Sequence, residues 1–371
     1  MNQPPGPGSW PPPQPPQQWQ GQPYGTPPGQ DPYALHPTPV GQPTPEGTVV
    51  TDGTHPAPGA GREGLPYHLV LRGGWPGKWR PVVGLVLLAA GMMLALPLLM
   101  IVPFAGWYLV TGQEVSSSVA ALVDLTSPTP ASLAYLNLTL AGLIPLTWLI
   151  VRYLHGLRPR WVSSVFPRLR WGYLFVCVGL SFVALIATVA VGALLPQDAA
   201  SSVAGDLNEF TPTVRDFLLV VLFLTPLQAA AEEYAFRGYL LQAFGGLVRS
   251  PYVAVALTSL LFALAHGAQD APIFFDRFAF GLVAGILVVV TGGLEAPIAM
   301  HVLNNWLAFG IALAFGDMGS ALNPSGGTWW SIPVTLTQSV TYLLLAWWVA
   351  RAMGLTTRTD PAVLAAPETR V

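Results

Sequence analysis

The chain has 371 residues, of which 52% are hydrophobic and 9% charged, where a soluble globular chain carries roughly 25% charged residues. So few charges cannot cover a water-exposed surface, which excludes an ordinary soluble protein and turns most of the surface toward lipid. A net charge of −2 offers no basic face for nucleic acid, and the single Cys177 excludes a disulfide framework and a cysteine-based metal site.

Residues 1–66 are dense in Pro, Gly and Gln, with runs such as Pro11-Pro12-Pro13 and Pro15-Pro16. They hold almost nothing apolar for a core, which predicts a disordered, solvated tail of polyproline II character. Docking of partners that read proline-rich segments is the lesser expectation. The first apolar run begins near Val82, too late for a cleaved secretory signal and too long for its h-region.

From there, apolar runs long enough to cross a bilayer alternate with short polar connections. Eight helices are expected: Val82–Val110, Ala131–Val151, Gly172–Leu195, Val214–Leu247, Pro251–Ala268, Phe274–Val290, Ala296–Phe315 and Ile332–Ala350. The sixth is short and carries Arg277 near one end. Asp270, Asp276 and Arg277 together read as a solvated loop at a membrane boundary. No internal repeat marks a transporter built from two related halves.

Lys and Arg gather in alternate connections, as the positive-inside rule requires. Arg72, Lys78 and Arg80 precede the first helix; Arg152, Arg158, Arg160, Arg168 and Arg170 follow the second; Arg249 follows the fourth; Arg351 and Arg358 follow the eighth. The opposite connections hold Glu114, Asp124, Asp198, Asp206, Glu209, Asp216, Asp270, Asp276 and Asp317, with only Arg215 and Arg277. The expectation is a multi-pass plasma-membrane protein with both termini cytoplasmic. Trp75, Trp79, Trp107, Trp171, Trp329 and Trp330 fit interfacial belts, and His155 reads as an interfacial residue.

Three clusters interrupt the apolar runs: Glu232-Glu233-x-x-x-Arg237, Phe262-x-x-x-His266 and His301-x-x-x-Asn305. A charge at the bilayer centre costs roughly 2.5–3.5 kcal/mol on insertion scales, an expense that structure alone rarely justifies. Glu233 and Arg237 are four apart and share a helix face, so they can pair. Glu232 points about 100° away and has no partner on its own helix. His301 and Asn305, also four apart, project together.

Depth agrees with this grouping. Glu232 and His266 lie at similar distances on either side of Arg249-Ser250, roughly 25 Å along their helices at ~1.5 Å per residue. Asn305 lies about 20 Å from the turn at Gly292-Gly293 by the same rise. The groups can meet. A carboxylate, imidazoles and an amide in one water-containing pocket suit hydrolysis. Glu232 would take a proton from water and pass it to a leaving amine, with His266 orienting the water. His301 and Asn305 would donate to a tetrahedral oxyanion. Glu232, His266 and His301 also offer ligands for a divalent metal such as zinc that activates the water. Both routes stay open at this level, although the His-Glu-x-x-His of soluble zinc peptidases is absent.

At these residues the sequence resembles the CPBP family (CAAX proteases and bacteriocin-processing proteins), intramembrane endopeptidases related to the type II CAAX prenyl endopeptidase. All three family motifs occur in order between about Phe217 and Phe315. The resemblance implies an all-α, polytopic fold of about eight transmembrane helices enclosing an intramembrane active-site cavity. It implies Glu232 and His266 for water activation, His301 and Asn305 for the oxyanion, and Glu233 with Arg237 to hold the site. The family has been described both as metal-dependent and as glutamate-activated. The expected organisation is a tail at 1–66, N-terminal membrane helices at 67–213, a catalytic core at 214–316, and a last helix with a short tail at 317–371. The expected partners are the lipid bilayer and a peptide or protein substrate, membrane-associated or lipidated. Rival classes are a proton- or ion-coupled transporter and a catalytically silent scaffold or immunity protein. A transporter would spread its acids along a path, whereas here they read as confined to Glu232 and Glu233.

Overall fold

A computed structural model describes residues 64–192, 194, 206–267 and 270–365, all within the unit Asp52–Val371. Among them the regular structure is helical, and the β-pairing consists of isolated bridges. The main helices are α1 (Trp79–Val110), α2 (Pro130–Leu154), α3 (Trp171–Val191), α4 (Pro212–Val248), α5 (Pro251–Ala265), α6 (Ala271–Thr291), α7 (Glu295–Phe315) and α8 (Ser331–Ala352). Seven are long and apolar enough to cross a membrane; α5 is a shorter apolar helix. Large apolar side chains such as Leu98, Leu99, Val102, Leu109, Phe175 and Ile186 stand exposed on the outer faces. Water would penalise so much outward apolar surface, and lipid would not.

The expected boundaries hold to within a few residues, because start signals are local. Thr129, Thr211, Ser250 and Asp270 cap helices with their side chains, each followed by a proline in the first turn. The fifth helix departs most. It ends at Ala265, and part of the expected extension to residue 268 lies outside the described residues. At ~1.5 Å per residue its 15 residues span about 22 Å, short of a hydrocarbon core of ~30 Å. Its C-terminal end carries His266.

The tail expected at 1–66 lies mostly outside the described residues. Its last three residues, 64–66, do not read as solvated coil. Leu65 is buried, and its backbone N–H donates to the Thr359 hydroxyl at 2.9 Å. Tyr67–Gly73 forms a buried 3₁₀ turn packed on the C-terminal part of α4.

The packing puts α4 and α7 side by side at the centre. α4 also packs on α2 and α5, and α7 on α3, while α6 packs between α5 and α8. α4 is not a straight rod. It breaks at Leu224 before Pro226 and widens into a π-helical turn over Tyr234–Leu240. Proline accounts for the break. The π-turn, a feature frequent at functional sites, lies directly after the paired glutamates.

Candidate active site

α4, α5 and α7 bring Glu232, His266, His301 and Asn305 to one cavity of about 470 Å³, with α1, α2, α6 and α8 completing its wall. The support beneath it is buried. Arg237 Nη1 donates to Glu233 Oε1 at 2.9 Å, and both side chains are fully buried. The guanidinium carbon lies 4.0 Å from the centre of the Phe262 ring, a cation–π contact worth about 2 kcal/mol when desolvated. Phe262 packs in turn against Phe236, Phe280 and both histidine rings. The phenylalanine of the second motif therefore positions three of the polar groups at once.

His301 is the hinge of the arrangement. Its Nδ1 lies 2.7 Å from Glu233 Oε1 and its Nε2 lies 3.5 Å from Glu232 Oε2. Glu233 Oε1 accepts from both Arg237 and His301, so Nδ1 carries the proton by assignment from this network. Nε2 is then the face turned to Glu232 and the cavity. Its 3.5 Å separation exceeds a formed N–H···O bond, and Glu232 Oε2 has no hydrogen-bond partner among the described residues. His266 Nδ1 lies 2.7 Å from the Phe262 carbonyl. A carbonyl only accepts, so in the neutral ring the proton sits on Nδ1 and Nε2 carries a lone pair.

All six residues singled out by sequence therefore occupy one region, though not all in the expected contacts. His301 is held between the two carboxylates rather than standing beside Asn305 as a second open donor. Asn305 Nδ2 donates to Gln228 Oε1 at 3.1 Å and has a second N–H. Gln228 was not anticipated. Its signal was its place four residues before Glu232, on the same face of α4.

One expectation needs correction. Asp276 and Arg277 are not in a solvated loop. Both lie inside α6, partly buried, and line the cavity with Glu232 and His266. A Pro272 start and an Asp270 cap placed the helix end one turn earlier than hydropathy suggested. Membrane-depth acids are thus not confined to Glu232 and Glu233, yet Asp276 joins the same cavity, so the site stays compact. His155, at the end of α2, is buried, with Nε2 3.0 Å from the Tyr239 hydroxyl.

A divalent ion needs its ligands gathered around one point at roughly 2.0–2.2 Å. Among the described residues no group of three or more His, Cys, Asp or Glu side chains is so placed. His301 spends one ring nitrogen on Glu233 and approaches Glu232 with the other. In this arrangement the donor set does not fit a metal, and no step below runs through one.

Residues 214–307 match the family model described as type II CAAX prenyl endopeptidase Rce1-like. A curated relative, the uncharacterized protein YyaK of Bacillus subtilis (strain 168), is 30% identical over 171 residues, which cover 44% of this chain and 55% of YyaK. The chain thus spans about half the length of that relative. No solved structure matches. The matched segment contains Glu232, Glu233, Arg237, His266, His301 and Asn305, and over it the chain carries the pattern of the Rce1-like type II CAAX prenyl endopeptidases.

Proposed function

We propose that this protein is an intramembrane endopeptidase that hydrolyses a peptide bond of a membrane-associated or lipidated peptide with water activated by Glu232 and His266. The observation that carries the reading is the convergence of Glu232, His266, His301 and Asn305 on one cavity within the helix bundle. Water held between Glu232 and His266 Nε2 loses a proton to the Glu232 carboxylate as its oxygen attacks the carbonyl carbon. The tetrahedral oxyanion accepts from the Asn305 Nδ2–H, while the newly protonated Glu232 faces the lone pair of His301 Nε2. An oxyanion donor is typically worth ~2.7–4 kcal/mol. Glu232 then gives its proton to the departing amine as the C–N bond breaks. Glu233 and Arg237 do not touch the substrate in this scheme; they fix the tautomer and position of His301.

The test uses the full chain purified in detergent with a panel of membrane peptides. Glu232→Gln and His266→Ala should lower kcat by about 10²–10⁴-fold, the usual range for a lost acid–base group. Cleavage by both variants at the wild-type rate would remove the site. Metal analysis of the same material tests the rest: hydrolysis should persist in metal-free protein. Activity that disappears with the metal and returns with zinc would overturn the glutamate route.

A further inference from the structure

Among the described residues, Arg277 is the one cavity-lining cation not absorbed by the motifs, and its surroundings are unusual for a guanidinium. It sits on α6 within the wall shared by Glu232, His266 and Phe280. Its Nε is buried without a hydrogen-bond partner, and no carboxylate forms an ion pair with it among the described residues. The Asp276 and Glu232 carboxylates act on it electrostatically, but neither forms such a pair among the described residues. Asp276 Oδ1 is itself buried without a partner, with Thr335 of α8 close by. The other buried arginine of the site shows the contrast, since Arg237 is paired with Glu233.

A guanidinium stays protonated at any ordinary pH and presents a planar fork of donors suited to two oxygens at once. In a low-dielectric cavity such a group attracts an anion strongly. We propose that Arg277 recognises a carboxylate of the bound peptide, which deepens the peptidase reading and rests on it. Asp276 and Glu232 share the wall with Arg277, and their carboxylates limit by repulsion how an incoming carboxylate can approach. The carboxylate has two sources of the same chemistry, the chain's own C-terminus or an Asp or Glu side chain. A cavity of about 470 Å³ lies within the range that takes a ligand of drug size. It therefore admits a short stretch of peptide, which brings any carboxylate on that stretch within reach of the wall.

The experiment measures binding, so that it does not depend on turnover. The full chain carrying Glu232→Gln is titrated with N-acetyl-Ala-Val-Leu-Ala as free acid, the same peptide as carboxamide, and N-acetyl-Ala-Glu-Leu-Ala carboxamide. At least one carboxylate peptide should bind about 10- to 100-fold more tightly than the neutral carboxamide, as charge-assisted hydrogen bonds allow. Which one does so identifies the source. Adding Arg277→Ala should erase the difference between the carboxylate peptides and the neutral carboxamide. Arg277→Lys, which keeps the charge but not the fork, should retain part of it. A general structural role would instead weaken all three peptides alike. Equal binding of the three, or a preference that survives Arg277→Ala, overturns the assignment. Hydrolysis of the same peptides by the wild type tests the peptidase reading separately.

Discussion

Glu233 carries no substrate-facing role in the proposed chemistry, yet three other site residues depend on it. It compensates the fully buried Arg237, fixes the proton on His301 Nδ1, and through His301 sets the distance to Glu232. Breaking a buried ion pair from one side strands a charge and costs about 3–5 kcal/mol, whereas replacing both members with apolar groups is often neutral. Glu233→Leu and Arg237→Met should each lower the thermal midpoint in detergent markedly, and the double variant should recover most of the loss. Activity should stay low in the double variant, because His301 has lost its anchor. Single variants as stable as wild type would show that the pair is no brace. This pair was legible in the sequence, since a four-residue spacing is a statement about one helix. Gln228, Asp276 and Arg277 were harder to read. Their role depends on which helices face one another, and hydropathy near a helix end cannot say whether a charge points into water or into a cavity.

The same distinction between local and non-local signals appears in whole elements. The helices announced themselves by apolar length and capping residues, but the connection 155–170 looked like an ordinary Arg-rich loop. In the structure it is packed into the bundle. Leu157, Trp161, Val162 and Val165 are buried, and Arg170 holds the fully buried Glu295 at the start of α7 through Nε at 2.9 Å and Nη2 at 2.6 Å. His155 closes the end of α2 against α4, where a Cβ added at Gly84 of α1 would lie 1.6 Å from the Tyr239 hydroxyl. Burial, with Arg80 adding to it, pushes the His155 imidazole down to about 4, and burial pushes His68 in the same direction. A depressed histidine binds its proton less well folded than unfolded. Its contribution to stability is present above about 6.5 and is lost as pH falls toward 4. The shift of His155 corresponds to a loss on the order of 3 kcal/mol across that window. Thermal midpoints measured from pH 7 to pH 4 should fall for the wild type, and His155→Gln, which can still meet Tyr239, should flatten the fall. An unchanged slope in that variant would place the acid sensitivity elsewhere.

At the scale of the molecule, the described ends of the chain decide how many times it crosses. The Thr359 N–H donates to the Leu65 carbonyl at 2.9 Å, and Arg358 Nη1 donates to the Gly64 carbonyl at 3.1 Å. The segments before α1 and after α8 therefore lie on one side, which requires an even number of crossings. Seven long helices alone would not satisfy this; counting the short α5 does. Asn323 donates to the Leu125 carbonyl and Asn208 to the Leu313 carbonyl, which ties the connections at the opposite end to one another. The basic residues gather on the first side and the acidic ones on the second, so the expectation from the positive-inside rule is that the paired ends face the cytoplasm. Cys177 is the sole cysteine, so a Cys177→Ala background allows single-cysteine labelling. With a membrane-impermeant maleimide on intact cells, Ser127→Cys, exposed between α1 and α2, should label directly. Thr356→Cys, exposed after α8, should label only after the membrane is opened. Labelling of both in intact cells would refute the even count, since it would put the two connections on one side. The reverse pattern would keep the count and invert the orientation, leaving the arginines facing outward against their own charge asymmetry.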